Sequence, residues 1–439
     1  MQRIRRRRFL SNVVGGAGAL QALGAPSLLA AGKPPSEQIN VAVIGINGMG
    51  GYHLRGLLQR DDVRVSALCD VDERVLAKRS KEVETATGKQ PKLSIDFRRV
   101  LDTNAIDAVI VATPHHWHCP IAIRALQAGK DVYIEKPASH VFREGRAVER
   151  AALRYKRVVQ HGTQMRSSPV TAAAGEVLAS GLIGEVKTTK AWNVQRLSGI
   201  PPIPDEPVPG GVDYERWLGP APRRPFNSNR FHKNWRSYRD YGNGDIGDDG
   251  IHDIDMARWA LGVDTHPVRI TAHGSTVDLE GEREYPDNMM VTCQYADGKV
   301  FIYEDRLWTP YGMHGVDSGN AFYGTEGYMI FSRRGYFQTY LGRKEEKGPG
   351  MGRKDTGVAS PGRLHMGNFL DCVRNRQTTI ASPHEAHLSC GLVHLGETAF
   401  RTGRVLQFDP ATESFPNDPE ANTLLTKEYR QPWGLPDVT

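Results

Sequence analysis

The chain has 439 residues, 39% of them hydrophobic and 24% charged, with a formal net charge of +6, a length that allows two domains with ample cores. The positive balance is local: residues 1–31 hold five arginines and no acids, and the remainder carries 51 basic against 50 acidic side chains. The sequence pI of 9.0 is therefore no sign of a nucleic-acid partner, and five scattered cysteines (Cys69, Cys119, Cys293, Cys372 and Cys390) suggest no disulfide framework.

Taken in chain order, Arg5-Arg6-Arg7-Arg8-Phe9-Leu10 fits a twin-arginine export signal, with Arg6-Arg7 as the pair. The following stretch to Ala31 is rich in Gly and Ala and too weakly apolar to span a membrane. Residues 1–31 are thus expected to be a signal, with the mature protein starting near Gly32. It would reach the periplasm folded, with no membrane association once the signal is removed.

A strand over residues 40–44 runs into Gly45-Ile46-Asn47-Gly48-Met49-Gly50-Gly51, and a helix is expected from Met49 to Leu58. Against G-x-G-x-x-G, Gly45 and Gly50 fill the first and third glycine positions, Asn47 the middle one, with Gly48 a place late. The helix start then offers N–H groups and a positive dipole end to a pyrophosphate. A second strand, 63–69, ends at Asp70. A carboxylate there accepts from ribose hydroxyls and repels a 2′-phosphate, which favours NAD over NADP.

A helical pattern over 73–87 closes at Gly88, and an apolar strand over 106–112 ends at Thr113-Pro114. His115-His116-Trp117-His118 is read as an extended loop before a helix over 121–128, with Trp117 and His118 placed to flank a nicotinamide ring. Zinc is rejected here, because adjacent loop residues diverge and no cysteine or carboxylate stands at ligand spacing. Residues 131–134 are a buried strand that delivers Glu135-Lys136-Pro137 to the carboxyl edge of a parallel sheet, where nucleotide folds hold ligands. A lysine there can bond a reacting hydroxyl. Repeated strand–helix units imply a doubly wound parallel sheet.

Beyond a strand over 157–160, Gln164 and Arg166 are candidates to line the cleft. Residues 197–243 form a long irregular stretch containing Phe231, His232, Trp235, Arg236 and Tyr241. A loop this long is functional or disordered, and rings mixed with polar groups suit a carbohydrate. Strands are expected over 185–196, 268–277, 289–295, 299–303, 321–323 and 328–331, with helices near 365–374 and 384–402.

These residues resemble the Gfo/Idh/MocA oxidoreductase family. The shared features are the Gly45 turn, Asp70, Thr113-Pro114 through His118, Glu135-Lys136-Pro137, and the run from Gly244 through Asp248 and His252 to Trp259. The resemblance covers residues 38 to 410. It implies an N-terminal Rossmann domain (36–160), an α+β substrate and oligomerisation domain (161–410) with a large open, mainly antiparallel sheet, and a C-terminal tail (411–439). Lys136 matches the family's catalytic lysine, and Asp248 and His252 its Asp-x-x-x-His pair. That spacing is expected to place both on one helical face. The implied cofactor is NAD, contacted by Gly45, Ile46, Asn47, Gly48, Met49, Gly50, Asp70, Thr113, Pro114, Trp117, His118, Glu135, Lys136 and Gln164. Arg166, Trp235, Arg236, Asp248 and His252 are expected at the substrate, and no metal is expected.

The reading is an exported NAD-dependent oxidoreductase acting on a sugar, glycoside or cyclitol, assembled as a homodimer or homotetramer through the C-terminal sheet. The alternatives are a glycoside hydrolase of the same fold, working by transient oxidation, elimination and re-reduction, and a non-catalytic sugar sensor.

Overall fold

The computed structural model describes residues 38–352 and 360–438; the expected export signal lies outside them. Six strands form the first sheet: β1 Ile39–Ile44, β2 Val63–Cys69, β3 Lys92–Ser94, β4 Ala108–Val111, β5 Asp131–Ile134 and β6 Val159–His161. Their order is β3-β2-β1-β4-β5-β6, and every pairing is parallel. This is the doubly wound arrangement, and its order reverses at β1/β4, where such sheets bind ligands. The sequence makes it readable: β4 and β5 are buried at every position, as a strand with helices on both faces must be. Each strand delivers its next residues to the carboxyl edge. In this way the Gly45 turn, Asp70, Thr113-Pro114 and Glu135-Lys136 come together.

The second sheet has nine strands: β7 Thr188–Val194, β8 Arg269–Ser275, β9 Asn288–Gln294, β10 Val300–Arg306, β11 Ser318–Tyr323, β12 Gly327–Ser332, β13 Tyr336–Leu341, β14 Glu346–Met351 and β15 Leu406–Gln407. The order is β14-β13-β12-β11-β7-β10-β9-β8-β15, antiparallel throughout except for β7 beside β10. Helices Gly250–Leu261 and Pro383–Thr402 contribute Ile251, Ile254, Met256, Leu392 and Leu395 to the same buried cluster as Tyr303, Phe322 and Met329 of the sheet.

The long stretch between β7 and β8 folds onto the first domain. Glu73 N–H donates to Gly211 O, Asp213 N–H to Val71 O, and Asp72 bridges Val212. Its aromatic residues Tyr214, Trp217, Phe226, Phe231, Tyr238 and Tyr241 build a small core of their own. The C-terminal tail also packs inward. Leu425 and Trp433 are buried in the main core, Arg430 N–H donates to Pro220 O, and Glu413 binds Arg146 and His387. Among the described residues no helix is long and apolar enough to cross a membrane.

Candidate active site

A cavity of about 350 Å³ opens along the carboxyl edge of the parallel sheet. Its floor is the glycine turn. Gly45 has φ +78°, and a Cβ there would stand 2.7 Å from Ala112 O; at Gly50 a Cβ would stand 1.8 Å from Gly45 O. Both positions therefore require glycine. Gly48 faces open space, so the displaced middle glycine is not sterically demanded. Helix Met49–Leu57 starts here, with the unpaired N–H groups that suit a pyrophosphate. Asp70 lines the cavity, and its oxygens accept from Ile46 N–H (2.9 Å) and Asp72 N–H (3.1 Å). Burial raises its pKa against the pull of those two donors. Each carboxylate oxygen keeps a lone pair for a ribose hydroxyl.

His115 to His118 are not a loop. They open helix His115–Gln127, which contains Pro120. Pro120 made Ile121 look like the start, but only one backbone bond is lost at a proline in the opening turns. The helix orders the histidines as separate spokes. His116 reaches Trp217 O (3.0 Å), and His118 sits between Pro137 O (2.7 Å) and Thr113 O (2.8 Å), bracing two of the edge loops. Trp117 donates to the Arg216 and Trp217 carbonyls and packs edge-on against Phe97 and Trp433. The long stretch roofs the cavity through Arg216, Trp217, His232, Trp235 and Arg236, and the tail adds Trp433. His232 clasps the floor, at 3.2 Å from Asn47 Nδ2 and 2.9 Å from Asp72 Oδ2.

The chemistry-bearing groups meet at one end. Lys136 Nζ donates to Asp248 O (2.5 Å) and Oδ1 (2.9 Å). Arg236 Nε lies 2.7 Å from Asp248 Oδ2, with its guanidinium 4.9 Å above the Trp235 ring. Burial opposes the charge of Lys136, yet the carboxylates of Asp248 and Glu135 outweigh it and hold the pKa above the ordinary lysine value. Burial likewise opposes the Asp248 charge, and Lys136 and Arg236 overcome it, leaving Asp248 well below the carboxylate range. Behind Lys136, Glu135 accepts from His53 at 2.7 Å. Against its burial, that bond and the Lys136 charge draw Glu135 down to about 2.

Several expectations are corrected. Asp248 ends helix Gly244–Asp248 while His252 belongs to the next, Gly250–Leu261, so the pair does not share one helical face. Lys136 and Asp248 line the cavity; His252 does not. It is 4% exposed, and its Nδ1 is buried without a partner. Burial, with the charges of Arg333 and Lys136, pushes its pKa down to about 3. The neighbouring Asp249 is paired with Arg333. Arg166 is a core brace: it binds Asp255 through two bonds of 2.8 Å and Glu385 at 2.9 Å. Gln164 opens a short 3-10 turn and is not in the cavity wall. Ile46 points into the core, with its N–H spent on Asp70, and Gly50 serves packing. The residues to which sequence reasoning gave no site role are His115, inside the matching run Thr113 to His118 but weighed by itself only as a metal ligand, Asn243 beside it, Arg216 and Trp217 in the roof, and Trp433 in the tail.

A parallel sheet of this order, a carboxylate closing its second strand, and a lysine–aspartate pair across the domain boundary define a dinucleotide-dependent oxidoreductase. Comparison with known proteins gives the family. The profile described as an oxidoreductase family NAD-binding Rossmann fold matches residues 39–163, and the family's C-terminal alpha/beta domain matches 175–313 and 345–435. The chain belongs to the Gfo/Idh/MocA oxidoreductase family, and its cofactor is NAD. It is 26% identical over 376 residues to a scyllo-inositol 2-dehydrogenase (NAD(+)) of Bacillus subtilis, covering 85% of this chain and 97% of that one. It is 24% identical over 351 residues to a levoglucosan dehydrogenase of Pseudarthrobacter phenanthrenivorans, covering 74% and 82%. A solved levoglucosan dehydrogenase in complex with NADH and levoglucosan has the same fold, with TM-score 0.66, 20% identity, and 84% and 99% of the two chains covered.

Proposed function

We propose that the protein oxidises a hydroxyl-bearing carbon of a sugar, glycoside or cyclitol. The observation that carries this reading is Lys136 Nζ on Asp248 in the wall of the dinucleotide cavity. NAD, held by the Gly45 turn and Asp70, supplies the hydride acceptor. An ammonium has three N–H bonds, and Lys136 spends two on Asp248. The third is left for the substrate oxygen, and the charge behind it stabilises that oxygen as its proton leaves. Asp248 fixes the ammonium, and Arg236 fixes Asp248. Trp235 offers a ring face of the kind that sugar C–H groups stack on. The inositol and levoglucosan relatives favour a ring polyol.

The roof supports retention of the cofactor between turnovers, since His232 and Trp433 reach over the cavity from separate segments. NAD should accompany the purified protein and appear on denaturation. A panel of inositols and anhydrosugars should then give NADH absorbance, and failure of every member would reject the substrate class.

A second reading comes from relatives named glycosyl hydrolase family 109 protein, one 29% identical over 187 residues, 41% of that protein. Release of phenol from an aryl glycoside without net NADH would favour it. The same proposal includes export by Arg6-Arg7, tested by replacing both with Lys and following the protein's location. It also includes self-association through the nine-stranded sheet. Met290, 51% exposed, faces away from the covered core on which its neighbour Met289 packs. Sedimentation of Met290→Lys should show a smaller species than the parent.

A further inference from the structure

Where the C-terminal tail docks, three ligand-type atoms from three segments meet. His266 Nε2 stands 3.2 Å from His387 Nε2 and 3.5 Å from Glu413 Oε1, and His387 Nε2 stands 2.8 Å from that same oxygen. None of the three residues lines the dinucleotide cavity. We propose that His266, His387 and Glu413 form a structural site for one divalent cation of the zinc class, bound through the two Nε2 atoms and Oε1.

The separations carry the assignment. Zinc bound tetrahedrally at about 2.0–2.1 Å holds its ligand atoms about 3.3 Å apart, and the three separations bracket that value. The two rings stand at 84° to each other, so both reach one point without stacking. Hydrogen bonds alone satisfy the triangle poorly. An imidazole Nε2 in the neutral ring carries either one proton or one lone pair. If His387 donates to Glu413, that single proton has to serve His266 as well. If both nitrogens are protonated, two N–H groups crowd one oxygen, with His266 at the long limit of a hydrogen bond. A cation takes all three lone pairs at once. His266 Nδ1 is buried without a partner, so the contact at Nε2 decides the tautomer.

The surroundings suit such a site. The rings are 2% and 1% exposed, and burial lowers the pKa of both, which keeps them in the neutral form that a cation needs. Phe142 packs on both rings at 4.9 Å. A Cβ at Gly391 would stand 2.5 Å from His266 Cε1, and one at Gly145 2.7 Å from His387 Nδ1, so two glycines leave room for the rings. Arg146 also binds Glu413, with Nε 3.2 Å from each carboxylate oxygen. Its charge is shared with Glu149, and a carboxylate has about four lone-pair directions, so Arg146 acts as the outer partner that orients the ligating carboxylate. A surface pocket lined by Glu413 and Thr412 admits water to the fourth position. The ligands come from the loop before β8, helix Pro383–Thr402 and the tail. The cation therefore fastens the tail, which carries Trp433 to the cavity roof. Nothing local marks the set in the sequence, since 121 residues separate the histidines and 26 separate His387 from Glu413.

The test strips the full chain with a chelator and titrates it with cobalt(II), whose visible bands report its ligands, then with zinc in competition. The parent should take up one cobalt per chain with the bands of a nitrogen–oxygen site and lose them to zinc. Zinc should also raise its Tm, because an ion that binds only the folded chain stabilises it. His387→Gln and Glu413→Gln should each weaken uptake by more than about 100-fold, the most that an outer partner is worth, and should lose the zinc-dependent rise in Tm. His273→Gln, at an exposed histidine of β8, should change neither. Circular dichroism and NADH binding identify the variants that fold, and Glu413→Gln, at the surface pocket, carries the comparison where His387→Gln does not. Absence of cobalt bands in the parent would overturn the proposal. Uptake unchanged in a folded Glu413→Gln or His387→Gln variant would overturn it too, and would mark adventitious binding at surface histidines.

Discussion

Replacing Arg166 with Met separates a structural arginine from a ligand-binding one. The guanidinium is 3% exposed and Asp255 1%, so the substitution leaves a buried carboxylate without its countercharge. Breaking a buried pair in this way costs about 3–5 kcal/mol. Asp255 keeps the Ser389 hydroxyl at 2.6 Å, and Arg258 stands beside it, paired with Glu385, which points to the lower end, about 3 kcal/mol. With an unfolding entropy near 2.1 cal/mol/K per residue, the 439-residue chain should lose about 3 °C in Tm. The pH dependence follows from the sign of the shift. Burial opposes the Asp255 charge, but Arg166 overcomes it and holds the group well below the carboxylate range. Its stabilisation is complete above the unfolded pKa of about 4 and is lost as pH falls toward the folded value. The difference between parent and variant should therefore be largest at neutral pH and shrink below about pH 4. Thermal melts across this range, with KM measured alongside, provide the assay. An unchanged Tm with a raised KM would return Arg166 to the ligand site and refute the reasoning.

Three further outcomes are expected. Asp70→Ser should narrow the preference for NAD over NADP in competition binding, because it removes the charge that repels a 2′-phosphate; NADP bound as tightly as NAD by the parent would refute the ribose assignment. Gly45→Ala should abolish NADH binding in a fluorescence titration, since its Cβ would meet Ala112 O at 2.7 Å and its φ is +78°. Trp433→Ala should speed NADH release about tenfold in stopped flow, the worth of one aromatic contact of about 1.4 kcal/mol, and an unchanged rate would remove the tail from the roof.

The parallel domain was legible because β1, β2, β4 and β5 are mostly apolar and each runs into a functional residue, whereas β3, three residues long and largely exposed, carries no such mark. Gly45, Asp70, Thr113, Glu135 and Lys136 could be placed from local order alone. The failures are of two kinds. Arg166 was misread because its partners, Asp255 and Glu385, lie 89 and 219 residues away in sequence, and a buried pair at that distance leaves no local mark. Pro120 hid the true start of the His115 helix, and so the contact between His115 and Asn243. Strand β14, Glu346–Met351, contains two glycines and a proline and has no period to read. The roof was half seen: the aromatic residues of the long stretch signalled function, but their seat over the glycine turn depends on contacts such as His232 with Asn47.

The most direct test of the account uses the four tryptophans that line the cavity, Trp117, Trp217, Trp235 and Trp433. NADH bound there should take up tryptophan excitation and emit strongly. Addition of the cognate keto product should then extinguish the emission as bound NADH is oxidised. Lys136→Met should give the same transfer signal but lose it about 10²-fold more slowly. Absence of transfer in the parent, or oxidation in the variant at the parent's rate, would contradict the placement of NAD and Lys136 in one site.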